Sequence, residues 1–436
     1  MVDIQYIREN VDQMKKNILL RGMDPSVVSV DKLVRLDEER RNLIALVDDL
    51  RAQRNEISAA ISGPQDKEKI EAATEIKSQL QEKEKELESI QEAYQALLWL
   101  MPNQIHPDVP EGKDENENVP GRTWGEIPSF DFEVKDHVEL GEALDLIDIK
   151  SAAKVSGARF GYIKNELALM QFGIVQMVFK TVTNREIISE LAHKVGNKYD
   201  TPFVPVVPPV LMRPNVMDRM GRLQPIEDRF VLEKDDFVLV GSAEHTLGPI
   251  HMDEIIAQET LPIRYIGYST AFRQEAGSYG KDTRGILRVH QFDKLEFETF
   301  SLPDDGEAEQ DLLVALQEYF LQQLEIPYQM VQICTGDMGK PDYRQIDLES
   351  WIPAQNSYRE THTSDYMTDF QARRLDIRYQ SPDGEKGFVH MNDATAVAVG
   401  RVLIAIMENY QQADGSIKVP TVLIPYVGKD TISPKD

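Results

Sequence analysis

The chain has a single cysteine, Cys334, in 436 residues, which excludes an internal disulfide and any multi-cysteine zinc site. A lone thiol of this kind reads as a core residue. The eight histidines show no ligand spacing: His245 and His251 stand six apart without a third ligand, so no zinc is expected. No apolar run approaches the ~20 residues that a membrane span needs. The N-terminus, MVDIQYIREN, mixes charges and lacks an apolar signal core. These absences predict a cytoplasmic protein with no membrane association. The glycine pattern GxGxxG and the P-loop lysine are missing too, so a doubly wound nucleotide fold has no support. Positive charge is scarce: 48 Lys and Arg stand against 74 Asp and Glu, a net charge of −26. That opposes contact with nucleic-acid phosphates unless the basic residues gather on one face.

Against these gaps, the first hundred residues carry a strong pattern. Leu36, Leu43, Leu50 and Ile57 recur every seven residues, and Ala73, Leu80, Leu87 and Tyr94 repeat the period after a break at Gly63-Pro64. Two heptad helices joined by a Ser-Gly-Pro turn predict an antiparallel coiled-coil hairpin over about 31–99. Taken alone, such an arm reads as a spacer or dimerisation element, and its mixed charges as a solvated face. The Pro-rich, polar stretch 102–125 marks a boundary, giving domains 1–105 and 106–436. Beyond it, β-rich runs alternate with helical ones. Strands are expected at 203–207, 230–232, 237–240, 263–269, 286–300, 328–333, 345–351 and 387–391. Helices are expected at 137–144, 173–196, 214–220, 307–324, 370–375 and 395–411. Adjacent β-runs with short turns predict an α+β fold, a mainly antiparallel sheet flanked by helices.

Four segments carry candidate chemistry. In FRQEAGSYGKDTRGILRVHQFDKLE, residues 272–296, Arg273 ends an apolar run. A loop with Gly277, Gly280, Gly285, Lys281 and Arg284 follows, and a second run carries Arg288 and Glu296. Arginine reads planar oxyanions, so this hairpin suits a triphosphate. In DLESWIPAQNSYRETHTS, Glu360 and Thr363 lie three apart beyond a strand. Their oxygens suit Mg²⁺, or they are surface groups on a loop. In VHMNDATAVAVGRVLIAIMENY, Arg401 sits inside an apolar helix. It either pairs with a buried carboxylate or meets an anionic ligand. Gly241-Ser242-Ala243-Glu244-His245 offers a hydroxyl and a carboxylate at a strand end.

In this order, the segments resemble the seryl-tRNA synthetase family of class II aminoacyl-tRNA synthetases over nearly the whole chain. The family's motif 1 corresponds to 173–209, ending at Pro208-Pro209. Motif 2 is the hairpin at 272–296 and motif 3 is NDATAVAVGRVLIAIMENYQ. The resemblance implies a class II catalytic domain behind a tRNA-binding arm. The implied reaction is ATP-dependent activation of L-serine and transfer to tRNA(Ser), and to tRNA(Sec) as well, by a homodimer that uses Mg²⁺ with ATP. It assigns Arg273 and Arg401 as catalytic, with Arg273 at the α-phosphate and Arg401 at the γ-phosphate. It gives ATP Arg273, Glu275, Arg288, Val289, Phe292, Glu360, Thr361, His362, Thr363 and Arg401, Phe292 stacking on adenine. Glu360 and Thr363 would hold Mg²⁺. Serine would meet Ser242, Ala243, Glu244, Arg273, Glu296 and Thr395. The alternative is a related ligase that activates an amino acid for a non-tRNA acceptor; relatives of that kind lack the long arm. The chain departs from the family at Ser242-Ala243-Glu244 (usually Thr-Ala-Glu) and at His245-Thr246-Leu247-Gly248. It departs again at Ser364-Asp365-Tyr366 (usually Cys-Ser-Asn) and at Asp393 (usually Asn).

Overall fold

The computed structural model describes residues 1–275 and 284–434. Gly277, Gly280 and Lys281 therefore lie outside the described residues. The chain divides into two compact units, Met1–Gln104 and Ile105–Asp436.

In the first unit, helices α1 (Val30–Ala59) and α2 (Lys67–Leu100) form the hairpin. At 1.5 Å rise per residue they are about 45 and 51 Å long. Ser29 caps α1 by accepting from the Lys32 N–H. The seven-residue repeat builds the seam: Val47, Leu50 and Leu80 are buried together, with Ile76 and Leu87 beside them. Polar crosslinks confirm the antiparallel register. Arg51 pairs with Glu84 at 2.8 Å, the Arg40 guanidinium lies 4.6 Å over the Tyr94 ring, and Lys69 donates to the Ala60 carbonyl near the turn. Two short helices, Ile4–Glu9 and Val11–Leu20, precede the hairpin.

The second unit is built on an eight-stranded sheet. Its strands are β1 (Val119–Trp124), β2 (Val204–Val206), β3 (Ile263–Phe272), β4 (Gln291–Ser301), β5 (Tyr328–Gln332), β6 (Arg344–Ile352), β7 (Ser357–Tyr366) and β8 (His390–Ala398). Their order is β1-β5-β6-β7-β8-β4-β3-β2. Every pairing is antiparallel except β2 with β3. Helices α3 (Asn165–Val182), α4 (Gly306–Gln323) and α5 (Val399–Asn409) supply one continuous core with Leu295, Phe297 and Leu348 of the sheet. Cys334 is buried, as a core thiol should be.

Several boundaries differ from the sequence reading, each for a physical reason. The expected helix 173–196 is two helices, because the Asn184 side chain accepts from the Glu186 and Ile187 N–H groups and starts a new one at Arg185–Lys194. The expected strand 286–300 begins only at Gln291. Before it, Gly285 adopts φ +76° and passes so close to His137 that a Cβ would lie 2.1 Å from the ring nitrogen. The helix expected at 395–411 starts at Val399, since Thr395 and its neighbours are held in β8 by pairing with β4. Residues 357–366, not among the expected strands, form β7.

One buried ion pair ties the sheet to its helices. Arg264 of β3 and Glu309 of α4 are 1% and 0% exposed and meet through two hydrogen bonds of 2.8 and 2.6 Å. Arg264 also donates to the Thr201 carbonyl, and Asn197 donates to Glu309. Removing one partner strands the other charge in the core, at a cost of about 3–5 kcal/mol. Arg264→Ala is expected to lower unfolding stability by that amount in urea melts. A loss below about 1 kcal/mol would show that the pair is not so isolated from water.

Candidate active site

The alternation of β4 places the cleft's groups. Leu295 and Phe297 enter the core, while Phe292, Lys294, Glu296 and Glu298 alternate onto the other face. Arg273 follows β3 directly and is locked to β4: its N–H donates to the His290 carbonyl, and His290 Nδ1 lies 3.0 Å from the Arg273 carbonyl. Its Nε donates to the Gly241 carbonyl at 3.1 Å, and its guanidinium lies 5.5 Å over the Phe292 ring. The cleft is lined by Arg273, Glu275, Ile286, Leu287, Arg288, Val289, Phe292, Lys294, Glu360, Thr395, Ala398, Gly400 and Arg401, and encloses about 540 Å³, part of it open to solvent. Cations and an aromatic ring thus share one wall with apolar side chains.

A bulge explains how Glu360 and Thr363 come together. In β7, Thr363 faces Asp347, His362 faces Leu348 and Glu360 faces Glu349, so Thr361 is an extra residue. Residues three apart in a regular strand would point to opposite faces; the bulge returns Glu360 and Thr363 to one. Glu360 pairs with Arg401 at 3.0 Å. Desolvation in the cleft raises its pKa, but Arg401 and then Arg273 outweigh that and hold it below the usual carboxylate range. Arg401 itself lies at the third position of α5, not in mid-helix, so it reaches the cleft without being buried.

Thr361 and His362 do not line the cleft. The Thr361 hydroxyl meets Ser350 and His362 Nδ1, both at 2.8 Å, and burial pushes His362 down to about 3, keeping it neutral. Ser242, Ala243 and Glu244 are buried beside the cleft. Ser242 Oγ accepts from Lys294, which in turn pairs with Glu296 at 2.6 Å. Burial raises the Glu296 carboxyl despite that lysine. Thr395 stands opposite Glu296 across β4 and β8. Of the positions expected from sequence, Arg273, Glu275, Arg288, Val289, Phe292, Glu360, Thr395 and Arg401 line the cleft; Ser242 and Glu296 reach it through Lys294, and Ala243, Glu244, Thr361, His362 and Thr363 are not among its lining residues.

Three neighbours escaped the sequence reading. Lys294 was within the quoted motif, and its alternation with Phe292 and Glu296 was the available signal. Arg229 is pushed down by burial and then by Arg273, so a second guanidinium adds positive field at the same wall. Gln317 of α4, fully buried, donates to the carbonyls of both Thr363 and Thr395 and fixes the two strands beside their bulges. Nothing in the sequence links Gln317 to residues 46 and 78 positions away.

An antiparallel sheet carrying this arginine-bearing hairpin, with a second arginine at the start of the helix after β8, defines a class II aminoacyl-tRNA synthetase core. A family model described as "tRNA synthetase class II core domain (G, H, P, S and T)" matches residues 229–410, and one described as "Seryl-tRNA synthetase N-terminal domain" matches 1–105. The serine–tRNA ligase of Dictyoglomus turgidum is 40% identical with full coverage of both chains, and that of Corynebacterium glutamicum is 40% identical over 100% and 99%. The crystal structure of seryl-tRNA synthetase from Pyrococcus horikoshii, complexed with ATP, matches with a TM-score of 0.90 at 36% identity, covering all of both chains. The cytoplasmic enzyme of Naegleria fowleri, solved with AMP, gives 0.85 at 28% identity, covering 100% and 99%. The chain belongs to the seryl-tRNA synthetase family and is an aminoacyl-tRNA ligase.

Proposed function

We propose that the cleft binds ATP and L-serine, forms seryl-adenylate, and passes the seryl group to tRNA(Ser) and tRNA(Sec). The observation that carries this reading is the convergence of Arg273, Phe292, Thr395 and Arg401 on one cleft, with buried Glu296 joined to it through Lys294. Adenine would stack on Phe292, with Glu275, Arg288 and Val289 around the nucleotide. Arg273 would meet the α-phosphate and Arg401 the γ-phosphate. The serine carboxylate attacks the α-phosphorus in line and pyrophosphate leaves. A carboxylate is already a nucleophile at pH 7, so catalysis is positioning and charge stabilisation. The terminal ribose hydroxyl of tRNA then attacks the adenylate carbonyl, releasing AMP.

Glu360 and Thr363 fit Mg²⁺. Their oxygens share a face, Glu360 stays ionised, and Mg²⁺ asks for only one or two carboxylates beside phosphates and water. Bound there, it would neutralise phosphate charge. No cluster of three or more His, Cys, Asp or Glu side chains suits a metal among the described residues, which fits a metal carried in with ATP.

Residues 1–105 would be the tRNA-binding domain and 106–436 the catalytic one. Many of the arm's basic groups are engaged with acids, Arg40 and Arg41 with Asp37 and Lys83 with Glu86. Lys67, Lys77 and Lys85 would make the phosphate contacts. Cytoplasmic location accords with the absence of any helix long and apolar enough to cross a membrane among the described residues. A homodimer is supported by apolar side chains left exposed on α3 and at the β2 edge, Leu169 at 49%, Phe172 at 57% and Val207 at 79%. Sedimentation should give twice the chain mass at micromolar concentration, and Phe172→Asp should shift it to the monomer. A wild-type monomer would contradict the assembly.

Charging assays discriminate the acceptor. Labelled serine should reach tRNA(Ser) and tRNA(Sec) transcripts and leave carrier protein unlabelled. Labelled carrier protein with bare tRNA would favour the ligase for a non-tRNA acceptor.

A further inference from the structure

Beside the amino-acid end of the cleft lies a charge cluster whose cation, Arg222, the sequence does not mark. Arg222 stands just after the helix Pro214–Met220, where Gly221 caps in the left-handed region at φ +81°. Its Nε lies 2.6 Å from Glu244 Oε1 and its Nη2 3.0 Å from Asp393 Oδ2. Asp393 on β8 is the cross-strand neighbour of both Asp365 on β7 and Glu298 on β4. All four carboxylate residues are at most 8% exposed. Both Glu298 oxygens and Asp365 Oδ1 have no hydrogen-bond partner among the described residues. Arg222 is thus the one cation paired with any member of this group among the described residues.

Such a concentration of buried acid opposes full ionisation. Burial, then the neighbouring Glu244 charge, pushes Glu298 and Asp393 well above the carboxylate range. Glu244 goes the other way: burial opposes, but Arg222 chiefly holds it ionised. Glu244 opens the short helix that follows Ser242, and Ser242 meets Lys294, the partner of Glu296. Asp393, where the family carries asparagine, therefore has a basic partner of its own.

We propose that Arg222 is the positioning residue of the amino-acid subsite: by clamping Glu244 and Asp393, from two separate elements, in one arrangement, it sets affinity for the amino acid without touching ATP. This deepens the seryl-adenylate reading and rests on it. The guanidinium is required because it presents two donors to two carboxylates; an ammonium cannot span both with the same geometry.

The test is serine-dependent ATP–pyrophosphate exchange with wild type, Arg222→Gln, Arg222→Lys and the double variant R222Q/D393N. The expected result for Arg222→Gln is a KM for serine raised about tenfold or more, as for a broken buried charge pair, with KM for ATP within about twofold. Arg222→Lys, which keeps the charge and guards against misfolding of the glutamine variant, should fall between. The double variant should recover most of the loss, since the amide introduced by D393N can donate to Glu244 without the arginine. Equal rises in both KM values, no change in either, or a double variant no better than R222Q would overturn the proposal. Wild type inactive with serine would instead bring down the functional reading; the variants would then be assayed with whichever amino acid supports exchange.

Discussion

Replacing Arg273 by alanine is expected to lower kcat/KM for serine-dependent pyrophosphate exchange by about 10²–10³ or more, the scale for losing a donor aimed at developing transition-state charge. Three observations set that expectation. Arg273 is held by backbone bonds to His290 and by its own Nε to Gly241, so its position is fixed before substrate arrives. Its terminal nitrogens have no hydrogen-bond partner among the described residues, which leaves them for an oxyanion. It also lies over Phe292, the ring proposed to carry adenine, so a nucleotide on that ring brings its phosphates within reach. Arg273→Lys should rescue little, because a point charge cannot reproduce the planar fork. The melting temperature should change little, since Arg273 is only partly buried. A drop below about fivefold in either variant would remove Arg273 from the reacting atoms.

Removing the coiled-coil arm is expected to separate the two half-reactions. With residues 31–99 replaced by a short linker, tRNA charging should fall at least about a hundredfold, corresponding to about 3 kcal/mol of lost interaction. Exchange should stay within about threefold, because every cleft-lining side chain lies between residues 273 and 401. The full deletion uncovers Ile7, Met14 and Ile18, which are buried in the first unit. A shorter deletion, 44–90, keeps Leu33, Leu36, Tyr94 and Leu97 and guards against a folding artefact. Joint loss of both activities in the shorter deletion would make the arm structural. Charging that survives would place tRNA elsewhere, and the net charge of −26 would then need no exception.

The fold was legible wherever a single period governed the chain. Heptads marked the outer ends of α1 and α2 to within a residue, although α1 stops at Ala59, short of the Gly63-Pro64 break, and Pro214–Met220 and Phe370–Leu375 coincide with their expected spans. It was illegible where tertiary pairing overrode local preference. Ala394 and Ala396 look helical, yet they lie in a strand pinned on both sides, by β4 and β7. The site followed the same division. Arg273, Phe292 and Glu296 could be read from a motif, and their alternation on β4 is a local property. The bulge at Thr361 that brings Glu360 beside Thr363 depends on the register with β6, and Arg222 reaches Asp393 across 171 positions of sequence. Neither relation leaves a local trace.

The most direct measurement is ATP–pyrophosphate exchange by the full-length chain across the twenty amino acids. The account predicts strong exchange with serine and at least about a hundredfold less with alanine, which lacks the hydroxyl that Glu296 and Thr395 are proposed to bind. Exchange with another amino acid and none with serine would contradict it.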